Sequence, residues 1–202
     1  ELGLRHIYFV AVASLERAEF AIRMERTWMH AAANRIYLVD ALLPGIPMSC
    51  QVVMNDGTPG PRRNRDGVAV SRLMIWMNQV RTLQQPGGLP PDTRWIVVLE
   101  DDVYVNLARL YYFLAGHASK DQHPVMFTHV LSDTEVYDFD RPCLSAGAAI
   151  LSRAAFELLA PHASCKNRAG PGLGRDGPLL SVCGLWCGCL PASLCNLTTA
   201  RS

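Results

Sequence analysis

The chain has 202 residues, half of them hydrophobic, enough apolar material to bury one core as a single domain. Lys and Arg total 19 against 18 Asp and Glu, a formal net charge of +1; no field of that size gathers a polyanion, so nucleic acid is not an expected partner. No apolar run reaches the roughly 18 residues needed to span a bilayer. The start at Glu1, without a methionine, points to a fragment whose targeting segment is missing, so any membrane attachment is expected from an N-terminal anchor outside these residues.

"HIYFVAVAS" (residues 6–14) is rich in β-branched and aromatic residues and ends in small polar ones, as a buried strand feeding a loop does. "LERAEFAIRMERTWMHAA" follows with Leu15, Phe20, Ile22, Met24, Trp28 and Met29 among charges, an amphipathic helix. "RIYLVDAL" (35–42) gives a second strand running to Asp40, and Pro44, Gly45 and Pro47 stop regular structure. Residues 55–67 read as a polar Gly/Pro-rich loop. "VSRLMIWMNQVRTLQQ" spaces Leu73, Trp76, Met77 and Val80 as a helix does, and "PGGLPPD" closes it.

"WIVVL" (95–99) is continuously apolar, the pattern of a central parallel strand covered on both faces. "NLARLYYFLAG" predicts a helix with Asn106 as N-cap and Gly116 as the stop. "VMFTHVL" (125–131) and "CLSAGAAILS" (143–152) predict two more strands, and "RAAFELLAPH" a further helix. Strands alternating with helices through Ala160 give an α/β fold: a mostly parallel sheet flanked by helices on both sides.

Between "WIVVL" and the next helix stand Glu100, Asp101 and Asp102. Ligands of an open α/β sheet gather outside the carboxyl ends of its strands, which is where these acids fall. Hard divalent cations prefer carboxylate oxygens, and a cation bound to phosphate needs only one or two protein acids. It would also relieve the repulsion among three adjacent acids. The competing reading is a solvated turn before the positive end of the next helix, and both stand on the residues alone.

The motifs carry a resemblance. "RWIVVLEDDVYVNLARLYYFL" resembles the metal-binding segment of the Fringe and core-1 galactosyltransferase-type family: an apolar strand, three acids, Tyr-Val and a helix. "RPCLSAGAAILSRAAFELLAP" resembles that family's Gly-Gly-Ala-Gly segment followed by Leu/Ile-Ser-Arg/Lys, with Ala146 here in place of the first Gly. "LERAEFAIRMERTWM" is similar to its first helix, which ends in Thr-Trp. The three motifs fall in family order over residues 7–161.

The resemblance implies a glycosyltransferase A-type, Rossmann-like domain. Its members transfer a sugar with inversion from a UDP-sugar to a glycan or glycoprotein hydroxyl, commonly in a β1,3 link, with Mn2+, in the Golgi or secretory lumen as the lumenal part of a single-pass membrane protein. By position it makes Asp102 the direct metal ligand, with Asp101 beside it, and Asp101 and Glu100 orient the metal and the nucleotide ribose. Glu100 replaces the commoner Asp, a longer arm with the same charge. Ala13, Ser14 and Asp40 fall at the uridine edge, although a strand-end Asp40 is equally a solvated residue. Gly147 and Ala148, with Ala149, would let backbone approach donor or acceptor closely, or form a tightly packed strand.

Asp176 in "GRDGPLLSVCGL" matches the first of the family's two late acids and is the candidate base, against the reading of an ordinary loop acid; Gly177 stands where the second acid belongs. Cys165 and Cys183 fall where some members carry cysteines, which implies a disulfide. The likeness ends after Cys183, and the family's later His has no counterpart. Residues 184–202 are thus a divergent Cys-rich tail, and the domain is expected to be truncated or to end in unrelated sequence.

The chain has seven cysteines, four of them Cys183, Cys187, Cys189 and Cys195, and an odd number leaves one without an intrachain partner. "CGLWCGC" admits a metal-knuckle reading but has no neighbouring His and no repeated C-x-x-C. Asn196-Leu197-Thr198 fits an N-glycosylation acceptor, which agrees with an oxidising compartment. Two other functions fit parts of the pattern: an inactive relative that binds a nucleotide-sugar or a partner, and an α/β metal-dependent phosphohydrolase using the same acidic turn.

Overall fold

The computed structural model describes residues 2–54, 76, 77, 79, 80, 88–131 and 143–160. Along the chain these give β1 (Ile7–Val12), α1 (Ala18–Thr27), β2 (Asn34–Val39), β3 (Gln51–Val53), β4 (Trp95–Glu100), α2 (Leu107–Gly116), β5 (Met126–Leu131), β6 (Cys143–Ser152) and α3 (Arg153–Leu159). The strands form one sheet in the order β3-β2-β1-β4-β6-β5.

β1 pairs in parallel with β2 and β4, and β2 with β3. The chain thus runs outward from β1 through β2 to β3, then returns to the other side of β1 as β4. That reversal, between β1 and β4, is the topological switch point of a Rossmann-like sheet, the place where its carboxyl edge opens into a ligand crevice. The α/β reading with a mostly parallel sheet holds, and the structure shows one strand, β6, that runs against the rest. β4 is parallel to β1 but antiparallel to β6, and β5 is antiparallel to β6 as well. An apolar run covered on both faces looks the same whichever way its neighbour runs.

Alternation along the strands divides the core in two. Tyr8, Val10, Val12, Ile36, Leu38 and Ile96 pack with Trp76, Met77, Phe156 and Leu159. Ile7, Phe9, Ala11, Tyr37, Val39, Trp95 and Val97 face Ala21, Met24 and Trp28 of the α1 segment and Leu114 of α2. Helical residues therefore cover both faces. Fully burying one such large side chain stabilises by about 1.5–3 kcal/mol. Trp76 stacks on Tyr8 and tilts against Phe156 within the first of these clusters.

The amphipathic stretch after β1 is a ten-residue helix between two 3-10 turns, at Leu15–Arg17 and Met29–Ala31. Asn106 caps α2 as expected, its side chain accepting from the Arg109 N–H. Gly116, by contrast, is the last helical residue, and Gly45 alone among the described glycines has positive φ. His117 ends the helix instead, its Nδ1 lying 2.8 Å from the Phe113 carbonyl.

β3 was not anticipated: three residues are too few for a period. Buried Gln51 fixes it, accepting from Leu43 N–H at 2.7 Å and donating to the Leu43 and Ile46 carbonyls. α3 ends at Leu159 and is capped by Ser152, whose Oγ accepts from Ala155 N–H and Val125 N–H and donates to His123 O. The loop 55–67, the disulfide between Cys165 and Cys183, the cysteine knuckle, the glycosylation triplet and the tail 184–202 lie outside the described residues. Among the described residues, no helix is long and apolar enough to cross a membrane.

Candidate functional site

Parallel pairing fixes what meets at the carboxyl edge. Val12 is level with Leu38 on one side and Glu100 on the other, so Ala13, Ser14, Asp40 and the acidic turn share one rim. Ala13 is buried and donates its N–H to Leu38 O at 3.0 Å. Ser14 starts the 3-10 turn, its carbonyl accepting from Arg17 N–H at 3.1 Å.

The Asp40 carboxylate has a definite local task. Its Oδ1 accepts from the Leu15 N–H at 2.8 Å and the Ala41 N–H at 3.0 Å, so it ties the loop after β1 to the end of β2. That is more than a solvated strand end and shapes the rim from within.

Because β6 runs against β4, its earlier half reaches the same rim. Ala148 pairs with Leu99, the residue before Glu100, and Gly147 precedes it on the strand. Ala148 is exposed there. The antiparallel turn of the fold, invisible in the sequence, is what brings the small-residue segment to the acids. Ser152 and Arg153 lie at the far end of β6, where Ser152 caps α3 and Arg153 bonds Glu157 at 2.7 Å. These two are structural. Asp176 lies outside the described residues.

Glu100 ends β4, and Asp101 and Asp102 form the turn that follows. The two Asp side chains differ in setting: Asp101 is 6% exposed and Asp102 45%. One atom holds both. Nη2 of Arg17 lies 3.1 Å from Asp101 Oδ1 and 2.7 Å from Asp102 Oδ2. Burial pushes the Asp101 carboxyl up to about 6; Arg17 opposes the rise, and Asp102 and Glu100 add to it. For Arg17, burial disfavours the charge, but its hydrogen bond to Asp102 and the field of all three acids outweigh that and raise its pKa.

Arg17 is the site residue that the sequence reading missed. In the sequence it is one charge among several in an amphipathic segment, whereas the 3-10 turn sets it over the acids at the edge of the sheet. Nothing in "SLERAEF" separates the two outcomes.

The acids do fit a hard cation. Two carboxylate oxygens, one from each Asp, already converge on a single positive atom, as bridging a divalent ion requires. Among the described residues no three His, Cys, Asp or Glu side chains gather into a metal cage. An ion held here would therefore draw its remaining ligands from water or from a bound phosphate.

No family model matches the chain, and no curated protein matches its sequence. Among solved structures, the crystal structure of a glycosyltransferase involved in the glycosylation of the major capsid of PBCV-1 aligns with 81% of this chain and 68% of that chain, at 14% identity and a TM-score of 0.45. A likeness of that size leaves the functional argument to the residues themselves.

Proposed function

We propose that the chain is an inverting, metal-dependent glycosyltransferase domain that moves a sugar from a UDP-sugar to a glycan or glycoprotein hydroxyl, in a β1,3 link. One observation carries the reading: the acidic turn stands at the switch point between β1 and β4, with two carboxylates aimed at one cationic position. The three motifs in family order supply the reaction class. A lumenal, secretory-pathway setting comes with that class.

Asp102 and Asp101 would hold Mn2+, which supplies charge stabilisation at the departing diphosphate. Glu100 and the rim of Ala13, Ser14 and Asp40 would seat the nucleoside. Gly147 and Ala148 border the acids on the opposite side and leave room for a sugar to lie close to backbone. Inversion needs a base on the far side of that sugar, to take the acceptor proton as its oxygen attacks. Asp176 is the residue we assign to it, from the motif alone.

The test is UDP-sugar turnover with an acceptor panel, read as UDP release. Release that depends on Mn2+ and acceptor supports the proposal; tight UDP binding without release would favour the second reading, an inactive relative that binds a nucleotide-sugar. That second reading draws on Arg17, which already pairs with both Asp side chains.

A further inference from the structure

Arg17 has no part in the reaction as drawn above, yet it occupies the point toward which the two carboxylates converge. It sits on the 3-10 turn between β1 and α1, on the rim itself. Its guanidinium carbon lies 4.8 Å from the centre of the Phe20 ring, and Arg23 approaches the same ring at 5.9 Å. Phe20 thus fixes the guanidinium by its face and uses none of its hydrogen-bond donors.

The contacts to Asp101 and Asp102 run through Nη2, one end of a group that carries five donors in a planar fork. That fork matches the oxygens of a phosphate as well as it matches a carboxylate. The Asp102 end of the contact is also open to water, and such pairs exchange partners readily. A divalent cation bound by Asp101 and Asp102 and the Arg17 guanidinium compete for the same two oxygens.

We infer that Arg17 is an exchangeable counter-ion of the acidic turn: it holds Asp101 and Asp102 in the ligand-free chain and donates instead to the diphosphate of the nucleotide once those carboxylates bind a divalent cation. This rests on reading the turn as a metal and nucleotide site. It makes the two ligands cooperative, because each draws Arg17 away from the position that opposes the other.

The experiment is calorimetric titration of MnCl2 alone, and of UDP at saturating Mn2+, into wild type, Arg17→Gln, Arg17→Lys and Asp102→Ala. Arg17→Gln is expected to bind Mn2+ alone about tenfold more tightly and UDP about tenfold more weakly. Arg17→Lys keeps the charge but loses the fork, so Mn2+ affinity stays near wild type while UDP binding weakens severalfold. Opposite signs for metal and nucleotide distinguish an exchanging counter-ion from a residue that merely supports the loop, whose loss would weaken both. If wild type binds both ligands, Asp102→Ala loses them, and Arg17→Gln moves neither or moves both in one direction, the Arg17 inference fails and the site stands. If wild type takes neither Mn2+ nor UDP, the reading of the site fails, and the inference with it.

Discussion

Arg35 and Arg17 each join the first helical segment to the sheet through carboxylates, but their contacts are built differently. Arg35 meets Glu25 with two parallel bonds, Nε to Oε2 at 3.0 Å and Nη2 to Oε1 at 2.7 Å. Tyr37 adds its hydroxyl to the same carboxylate at 3.1 Å, and Arg35 Nη1 reaches the Ala32 carbonyl at 3.0 Å. One acid, one base and matched geometry make a closed unit at the start of β2, away from the carboxyl rim. Arg17 instead spreads a single nitrogen over two acids, beside a third. The first arrangement suits permanence; the second leaves the acids able to accept another cation. Buried pairs with complete bonding hold a fold, whereas an under-matched cluster at a ligand edge is where binding chemistry is expected.

The largest effect should come from breaking the closed unit. Glu25→Ala leaves Arg35 and the Tyr37 hydroxyl without their acceptor in the interior and should cost about 3–5 kcal/mol in urea unfolding. A loss below about 1 kcal/mol would mean the Arg35 cluster is no more structural than the Arg17 one. Next comes Ser152→Ala, which removes the cap of α3 and a bridge between Val125 N–H and His123 O. It should cost about 2 kcal/mol and leave Mn2+ and UDP binding unchanged, which would set the far end of β6 apart from its ligand end.

The acidic edge should respond in the opposite sense. The folded chain raises Asp101 to about 6 from an ordinary 3.8, so the folded state holds that proton more tightly than the unfolded one. Its contribution to stability is therefore fully present below about pH 4 and is lost as pH rises through about 6. Asp101→Asn should raise Tm by about 2–4 °C above pH 6, with the gain vanishing below about pH 4. A loss of Tm at pH 7.5 would place Asp101 among the structural carboxylates. Smallest of all, Arg17→Gln should change unfolding free energy by no more than about 1 kcal/mol, since half of its contact is solvent-exposed.

Much of the scaffold was legible because burial writes itself into apolar runs. The strands at Ile7–Val12, Trp95–Glu100 and Cys143–Ser152 fall within a residue or two of their hydrophobic stretches. The direction of β6 was not legible, since direction depends on the connection and not on the strand. β3 is held by Gln51 bonding to a loop, a contact without a sequence period. Of the site, the acids and the rim at Ala13, Ser14 and Asp40 could be named from strand ends. Arg17 could not, because its role follows from a single 3-10 turn that redirects one side chain of an otherwise ordinary amphipathic segment.

Everything proposed for this site depends on the acidic turn binding a nucleoside diphosphate through a divalent cation. The decisive experiment is calorimetric titration of UDP into the chain, with and without Mn2+, repeated on Asp102→Ala. Binding is expected to require Mn2+ and to disappear in the variant. UDP binding of equal strength with and without Mn2+, or binding that Asp102→Ala leaves intact, would contradict it.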